Sequence, residues 1–171
     1  MFCRFWTFFA PGTGRRPDGY HELRTLFQTV SLHDDLRFEA GKNGIRLEVE
    51  GADLGPPEQN LVYRAASLFA EKYSPPTGVS LRLIKRIPAG SGLGGGSSNA
   101  AVTLIGLCRL WRRPTKLDEL MSLAAKLGAD VPFFLVGGSA LGLGRGDLIY
   151  PASPPEVRWM IIVCPGFPIA T

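Results

Sequence analysis

The sequence has 171 residues, of which 45% are hydrophobic and 20% charged, which is enough for one packed globular domain. Its net charge of +4 is only mildly basic, and Lys and Arg occur in pairs at most, which argues against a nucleic-acid-binding face. Three scattered cysteines form neither a disulfide framework nor a metal motif, and no apolar run is long enough to span a membrane. We therefore expect a cytoplasmic protein that binds a small anionic molecule rather than nucleic acid or membrane, in an oligomeric state that the sequence does not define.

The first half of the chain predicts strands and one helix. Short strands are expected on either side of a turn at His33-Asp34-Asp35, and alternating Ile, Leu and Val after residue 44 indicate a half-buried strand. Asn60 is typical of the residue that caps a helix N-terminus, and Ser74-Pro75-Pro76 should end that helix. The patterns place strands at 25–30, 36–39, 45–49 and 79–87.

The second half predicts two helices and two further strands. Ser97 or Ser98 should cap the first helix, whose apolar stripe includes Leu104 and Cys108. Thr115, with Asp118 three residues later, indicates a capping box for the second helix, which should end at a glycine. The expected ends are Pro114 for the first helix and Gly128 for the second, and strands are expected at 138–143 and 158–163.

A glycine-rich run lies between the strand at 79–87 and the helix that follows. Glycine adopts positive φ readily, and successive N–H groups in such a turn form a partly positive concavity. At a helix N-terminus this arrangement suits a phosphate group. The run consists of Pro88, Ala89, Gly90, Ser91, Gly92, Leu93, Gly94, Gly95, Gly96, Ser97, Ser98 and Asn99.

Two common phosphate-binding fingerprints do not fit this run. Gly90, Gly92 and Gly95 match the spacing of a dinucleotide-binding loop, but no acidic residue follows at the end of a second strand about 20 positions later. Gly90 and Gly95 also match the start of a Walker A motif, but Gly96 occupies the position of its lysine. The run therefore belongs to another class of phosphate loop.

The run resembles the ATP loop of the galactokinase, homoserine kinase, mevalonate kinase and phosphomevalonate kinase superfamily. Further segments resemble one of its families, the 4-diphosphocytidyl-2-C-methylerythritol kinases. They lie at residues 13–23, 25–28, 59–62 and 128–134. The resemblance implies an α+β fold, a two-layer sandwich with helices packed on one face of a mixed sheet. It also implies ATP-dependent phosphorylation of the substrate's 2-hydroxyl in the non-mevalonate isoprenoid pathway, with ATP and Mg²⁺ as cofactors. We assign no metal site, and Ser97 and Ser98 can cap the helix, bind phosphate or assist Mg²⁺.

The resemblance assigns roles to four residues outside the loop. It implies that Tyr20 and His21 bind the cytidine, although their Asp-Gly-Tyr-His context alone also fits a β-turn with one core aromatic. It implies that Asp130 faces the reacting hydroxyl as a base or orienting group, although a turn-forming role is the simpler local interpretation. It adds an adenine contact to the capping role of Asn60. The ATP site it implies is Asn60 together with residues 88–98.

The sequence departs from that family at two places. Counting back from Thr13 places Phe5 where the family has a catalytic lysine, and the chain stops at Thr171 before a further glycine motif. We therefore expect residues 1–171 to form an N-terminal ATP-binding kinase domain, with weak turnover on its own. An incomplete gene or a naturally reduced homologue would account for both departures. Another kinase of the superfamily and a non-catalytic nucleotide-binding remnant stay as alternatives.

Overall fold

The computed structural model describes residues 23–144, 148–153, 159 and 161–163. Strands and helices are mixed along the chain, and a short 3-10 turn, Pro57–Gln59, precedes the first helix. The strands are β1 (Leu23–Gln28), β2 (Asp35–Gly41), β3 (Ile45–Glu50), β4 (Gly78–Ile84), β5 (Ser139–Gly144) and β6 (Leu148–Ala152). The helices are α1 (Leu61–Tyr73), α2 (Gly95–Leu110), α3 (Leu117–Leu127) and α4 (Val131–Val136). None of the helices in the described part of the chain is long and apolar enough to cross a bilayer.

The strands form two three-stranded sheets. The first has the order β1-β5-β6 and is antiparallel throughout, with Phe27 opposite Ala140. The second has the order β2-β4-β3, in which the central strand β4 is antiparallel to β2 and parallel to β3. A parallel pair needs a crossover connection, which α1 supplies between β3 and β4.

The helices pack against these sheets and close one hydrophobic core. Helix α1 contacts β3, and α2 contacts β2, α1 and α3. Helix α4 packs on α2 and reaches the first sheet, where the rings of Phe133 and Phe27 lie 4.8 Å apart between centroids. The short helix α4 therefore ties the first sheet to the rest of the core. Fully buried side chains at its centre include Phe27, Phe69, Phe133, Leu81, Leu83, Leu104, Leu107, Val62 and Val131.

The α+β class with a mixed sheet is confirmed, while some local predictions are wrong. The two strands predicted around the turn at residues 33–35 are present as β1 and β2, but they lie in different sheets, because β1 pairs with β5 and β2 with β4. Helix α4 and strand β6 were not predicted, and the described residues of the expected strand at 158–163 form no strand. Thr115 does not cap α3, because the N-cap residue is Lys116 and the Thr115 hydroxyl donates to the Arg113 carbonyl instead, at 3.3 Å.

Candidate functional site

The glycine run leaves the central strand β4 and enters α2, as its spacing predicted. Every second residue of its middle section has a left-handed backbone, with φ of +67° at Gly90, +69° at Gly92 and +67° at Gly94. Residues with a side chain rarely adopt this conformation, so the three glycines are required by the path of the chain. Alternating left-handed residues turn successive N–H groups toward one side, which is the geometry of an anion-binding concavity.

Helix α2 begins one turn earlier than predicted. Its N-cap residue is Gly94, whose carbonyl accepts a hydrogen bond from the Ser98 amide at 2.8 Å, and no side chain caps the helix. Ser97 and Ser98 therefore lie inside the first turn, and the prediction that one of them caps the helix is wrong. Because Gly95 and Gly96 are themselves helical, α2 starts before the two serines. The amides of Gly95, Gly96 and Ser97 precede the first possible intrahelical acceptor, so the positive end of the helix lies at the loop.

A cavity of about 440 Å³ opens beside the loop. On the loop side its lining consists of Pro88, Ala89, Gly90, Ser91, Gly92, Leu93, Gly94, Gly95, Gly96 and Ser97, and Asn99 also contributes. Apolar and polar side chains complete the lining, namely Leu54, Leu61, Leu83, Asn60 and Lys85. This combination of backbone amides, one cation and apolar side chains suits a ligand with an anionic part and a flat apolar part.

Asn60 caps a helix and also lies at the cavity, so its place in the structure is compatible with both roles considered for it. Its side-chain oxygen accepts a hydrogen bond from the Val62 amide at 2.9 Å, so it is the N-cap residue of α1. It also lines the cavity beside the glycine loop. The capping role is therefore confirmed, and the side chain is close enough to the cavity to be considered as a ligand contact.

A buried polar cluster at the base of the loop was not recognised from the sequence. The side chain of Asp34 is 0% exposed and that of Lys85 is 5% exposed, and the two form an ion pair. The Asp34 carboxylate also accepts hydrogen bonds from the side-chain amide of Asn99 at 2.8 Å and from the backbone amides of Arg86 and Ile87 at 2.7 and 2.8 Å. The sequence predicts a polar turn at residues 33–35, but the Asp34 side chain within it is buried.

One sequence signal could have found Lys85. Residues 79, 81 and 83 of β4 point into the core, so the same alternation directs residue 85 inward as well. Lysine is almost never buried without a partner, which indicates that an acidic residue must be near. The sequence alone does not show which one, because Asp34 is 51 positions away.

The hydrogen bonds decide the protonation state of Asp34. Burial raises the pKa of its carboxyl, but the hydrogen bonds from Ile87, Lys85, Arg86 and Asn99 together outweigh this effect and hold the pKa below its ordinary value. Asp34 is therefore a carboxylate at neutral pH, and it balances the charge of Lys85 inside the protein.

Asp130 lies at the start of α4, one turn before Phe134, whose ring contacts the glycine loop. It is the N-cap residue of α4 by position, but its side chain makes no capping hydrogen bond, and burial raises the pKa of its carboxyl. Further along α4, the Phe134 ring fills the space beside Gly94 so closely that a Cβ there would lie 2.9 Å from Cζ. Helix α4 thus connects Asp130 to the glycine loop, although Asp130 is not among the described residues that line the cavity.

The remaining candidate residues are limited by what the structure describes. Tyr20 and His21 lie outside the described residues. Within the described ranges, no group of three His, Cys, Asp or Glu side chains is arranged to hold a metal ion. The site that the structure brings together therefore consists of the loop, the first turn of α2, Asn60 and the cluster around Asp34.

The chain matches known protein sequences over most of its length. Residues 60–138 match the family described as the GHMP kinases N terminal domain. The chain is 46% identical to the 4-diphosphocytidyl-2-C-methyl-D-erythritol kinase of Syntrophus aciditrophicus, over 92% of this chain and 56% of that protein. It is 46% identical to the protein of the same name from Paraburkholderia xenovorans, over 93% and 54%. The chain thus spans about 55% of the length of these relatives, in their N-terminal part.

The fold is also similar to solved structures of kinases. The fold is similar to that of a 4-(cytidine 5'-diphospho)-2C-methyl-D-erythritol kinase, with a TM-score of 0.72 and 44% identity over 90% of this chain and 51% of that one. The mevalonate kinase of Methanococcus jannaschii superposes with a TM-score of 0.62 at 15% identity, over 76% of this chain and 49% of that one. The second similarity concerns the fold alone.

Proposed function

Since this chain belongs to the GHMP kinases, we propose that it supplies the ATP-binding part of a cytoplasmic kinase that phosphorylates 4-diphosphocytidyl-2-C-methyl-D-erythritol on its 2-hydroxyl. The observation that carries the proposal is the loop between β4 and α2, with left-handed backbone at Gly90, Gly92 and Gly94 beside the cavity. The relatives that are 44–46% identical and bear the name of this kinase support the choice of substrate.

The loop fits the phosphates of ATP. Space above Gly92 is open, because a Cβ there would meet nothing within 4 Å, so a ligand can approach the backbone. The first amides of α2 lack intrahelical acceptors and can donate to phosphate oxygens. Residues 88–98 would hold the phosphates, and Asn60 and the apolar wall would contact the adenine side. Mg²⁺ would bind through the phosphates themselves, as is usual for this ion.

Asp130 is proposed to serve the acceptor side of the reaction. The substrate hydroxyl oxygen attacks the γ-phosphorus, the bond to the bridging oxygen of ADP breaks, and the hydroxyl proton passes to the Asp130 carboxylate. The raised pKa of Asp130 makes it a better proton acceptor than an ordinary aspartate. Tyr20 would stack on the cytosine ring and His21 would hydrogen-bond its edge.

Binding and turnover are best tested separately, because the chain spans about half of its relatives' length. The full chain is titrated with a fluorescent ATP analogue, with NAD as the control ligand. A coupled assay then follows ADP release with 4-diphosphocytidyl-2-C-methyl-D-erythritol, mevalonate and homoserine in parallel. We expect ATP-analogue binding without NAD binding, and any turnover to be confined to the cytidyl substrate. No ATP-analogue binding would contradict the proposal, and turnover of mevalonate or homoserine would replace its substrate.

A further inference from the structure

We infer that Asp34 is the positioning residue of the glycine loop: its buried carboxylate holds both ends of the loop and the Lys85 ammonium in one arrangement that keeps the nucleotide cavity formed. The inference rests on the proposed function, since it concerns the same cavity. Asp34 itself does not line the cavity and acts through the residues that it holds.

The contacts of Asp34 enclose the loop on both sides. One carboxylate oxygen, Oδ1, accepts from the Arg86 and Ile87 amides, immediately before the loop begins. The other oxygen, Oδ2, accepts from the side chains of Lys85 and Asn99, and Asn99 lies in α2 immediately after residues 88–98. A single side chain therefore fixes the distance between the entry and the exit of the loop.

Stability alone does not explain such a cluster. A buried ion pair costs desolvation, and apolar replacements of similar volume are often neutral or stabilising. The neighbouring ion pair of Asp35 with Arg86 differs in this respect, because its side chains are 37% and 50% exposed. An exposed pair of this kind costs little desolvation and contributes little to stability. Buried polar networks that are fully bonded specify one arrangement of the chain, which is what a ligand-binding loop needs.

The charges also require Asp34. The Lys85 Nζ atom lies 3.3 Å from the position that a Cβ of Gly95 would take, so the ammonium is at the first residue of α2. The N-terminus of a helix is partly positive and would repel this charge. The Asp34 carboxylate offsets the repulsion and holds Lys85 in the cavity wall. Without it, we expect Lys85 to leave this position and the loop to lose its shape.

Asp34→Asn and Asp35→Asn form a matched pair of variants for testing the inference. Each replaces one carboxylate by an amide of the same size, but only the first faces the loop. In Asp34→Asn either the new side-chain NH2 group or the remaining oxygen must take the place of Oδ2. If it is the NH2 group, it faces the Lys85 ammonium and the Asn99 amide, which are themselves donors, and both hydrogen bonds are lost. We expect the dissociation constant for the fluorescent ATP analogue to rise at least tenfold in Asp34→Asn and less than twofold in Asp35→Asn.

Hydrogen exchange supplies a readout that does not depend on a nucleotide. In Asp34→Asn the amides at the two ends of the loop should exchange at least tenfold faster, namely those of Arg86 and Ile87, which donate to the carboxylate, and that of Ser98, which closes the first turn of α2. The amides of α1 should keep the rates found in Asp35→Asn. If Asp34→Asn does not fold, the exchange of Asn99→Ala is measured instead, because this variant keeps the ion pair and removes the link to α2; its nucleotide binding is not compared, since Asn99 also lines the cavity. Its Ser98 amide should also exchange faster.

The outcomes separate the two proposals. Unchanged exchange and binding in Asp34→Asn, or unchanged exchange in Asn99→Ala where Asp34→Asn does not fold, would overturn the positioning role. Equally faster exchange in α1 and in the loop would also overturn it, because Asp34 would then stabilise the fold in general. Faster exchange confined to the loop, in a protein whose parent binds no ATP analogue, would support the positioning role and contradict the proposed function.

Discussion

Replacing Gly94 by alanine tests the packing of the glycine loop against the helix that carries Asp130. Gly94 is the N-cap residue of α2 and has a φ of +67°. An added Cβ would lie 2.9 Å from Cζ and 3.1 Å from Cε2 of Phe134, well inside a normal carbon–carbon contact. The substitution therefore combines backbone strain with a steric collision.

The size of each effect follows from the structure. A left-handed backbone costs a residue with a side chain about 1–2 kcal/mol, and an extra methyl group in a filled space costs about 1–3 kcal/mol. We expect Gly94→Ala to lower the free energy of unfolding by about 2–5 kcal/mol, the sum of the two. Gly92→Ala should lose only the backbone contribution of about 1–2 kcal/mol, because its φ is +69° but its Cβ would meet nothing within 4 Å.

A third glycine serves as the control for the helix itself. Gly96 lies in the first turn of α2, and its added Cβ would meet the Leu61 Cδ1 atom at 3.4 Å, which is an ordinary contact. Because alanine favours a helix over glycine by up to about 1 kcal/mol, Gly96→Ala should be neutral or stabilising. Urea unfolding of the full chain, followed by circular dichroism, gives the free energy of unfolding of each variant.

The double variant Gly94→Ala with Phe134→Leu identifies the colliding group. The smaller leucine side chain should recover most of the steric part, so the two changes should cost less together than the sum of their separate costs. The reasoning is refuted if Gly94→Ala is no more destabilising than Gly92→Ala, or if the two changes are additive. Either result would mean that Phe134 does not support the loop.

Three further changes test the site and the core around it. Burial raises the pKa of the Asp130 carboxyl, so its ionised form weakens the fold as the pH rises through the shifted pKa. Asp130→Asn should therefore raise the free energy of unfolding at pH 7 but not at acidic pH, where the carboxyl is protonated, and it should lower turnover of the cytidyl substrate about 100-fold or more. Asn60→Ala removes the acceptor of the Val62 amide and should cost about 1 kcal/mol, whereas Asn60→Asp, which keeps the acceptor, should cost little in urea unfolding. Gly106→Ala should destabilise in spite of its better helix propensity, because its Cβ would overlap the Phe38 ring, and Phe38→Leu in the same chain should reduce the loss of melting temperature.

Local patterns were sufficient where local forces decide the structure. The alternation after residue 44 predicted β3, and Asn60 predicted the start of α1, because strand periodicity and helix capping act over a few residues. The glycine run predicted the loop for the same reason. Contacts between distant segments could not be predicted in this way: nothing near β1 indicates that its partner is β5, more than a hundred residues later.

The errors near the site have the same origin. A serine after a glycine run is a good cap by local rules, but the glycines allowed α2 to begin at Gly95 and moved both serines into the helix. The six residues of α4 are too short and too uniformly apolar for a period to be recognised. The role of Asp34 depends on Lys85 and Asn99, which are 51 and 65 positions away, and a short turn of His and Asp gives no sign of them.

The long sequence separations within the Asp34 cluster also bear on the order in which the protein folds. Contacts between residues that are far apart close large loops of chain, and they form late because their entropic cost must be met first. Helices α1 and α2 depend mainly on near neighbours and can form earlier. We therefore expect the nucleotide cavity to be among the last parts of the chain to assemble. During refolding, nucleotide binding should lag behind the helical circular dichroism signal and report the completion of folding.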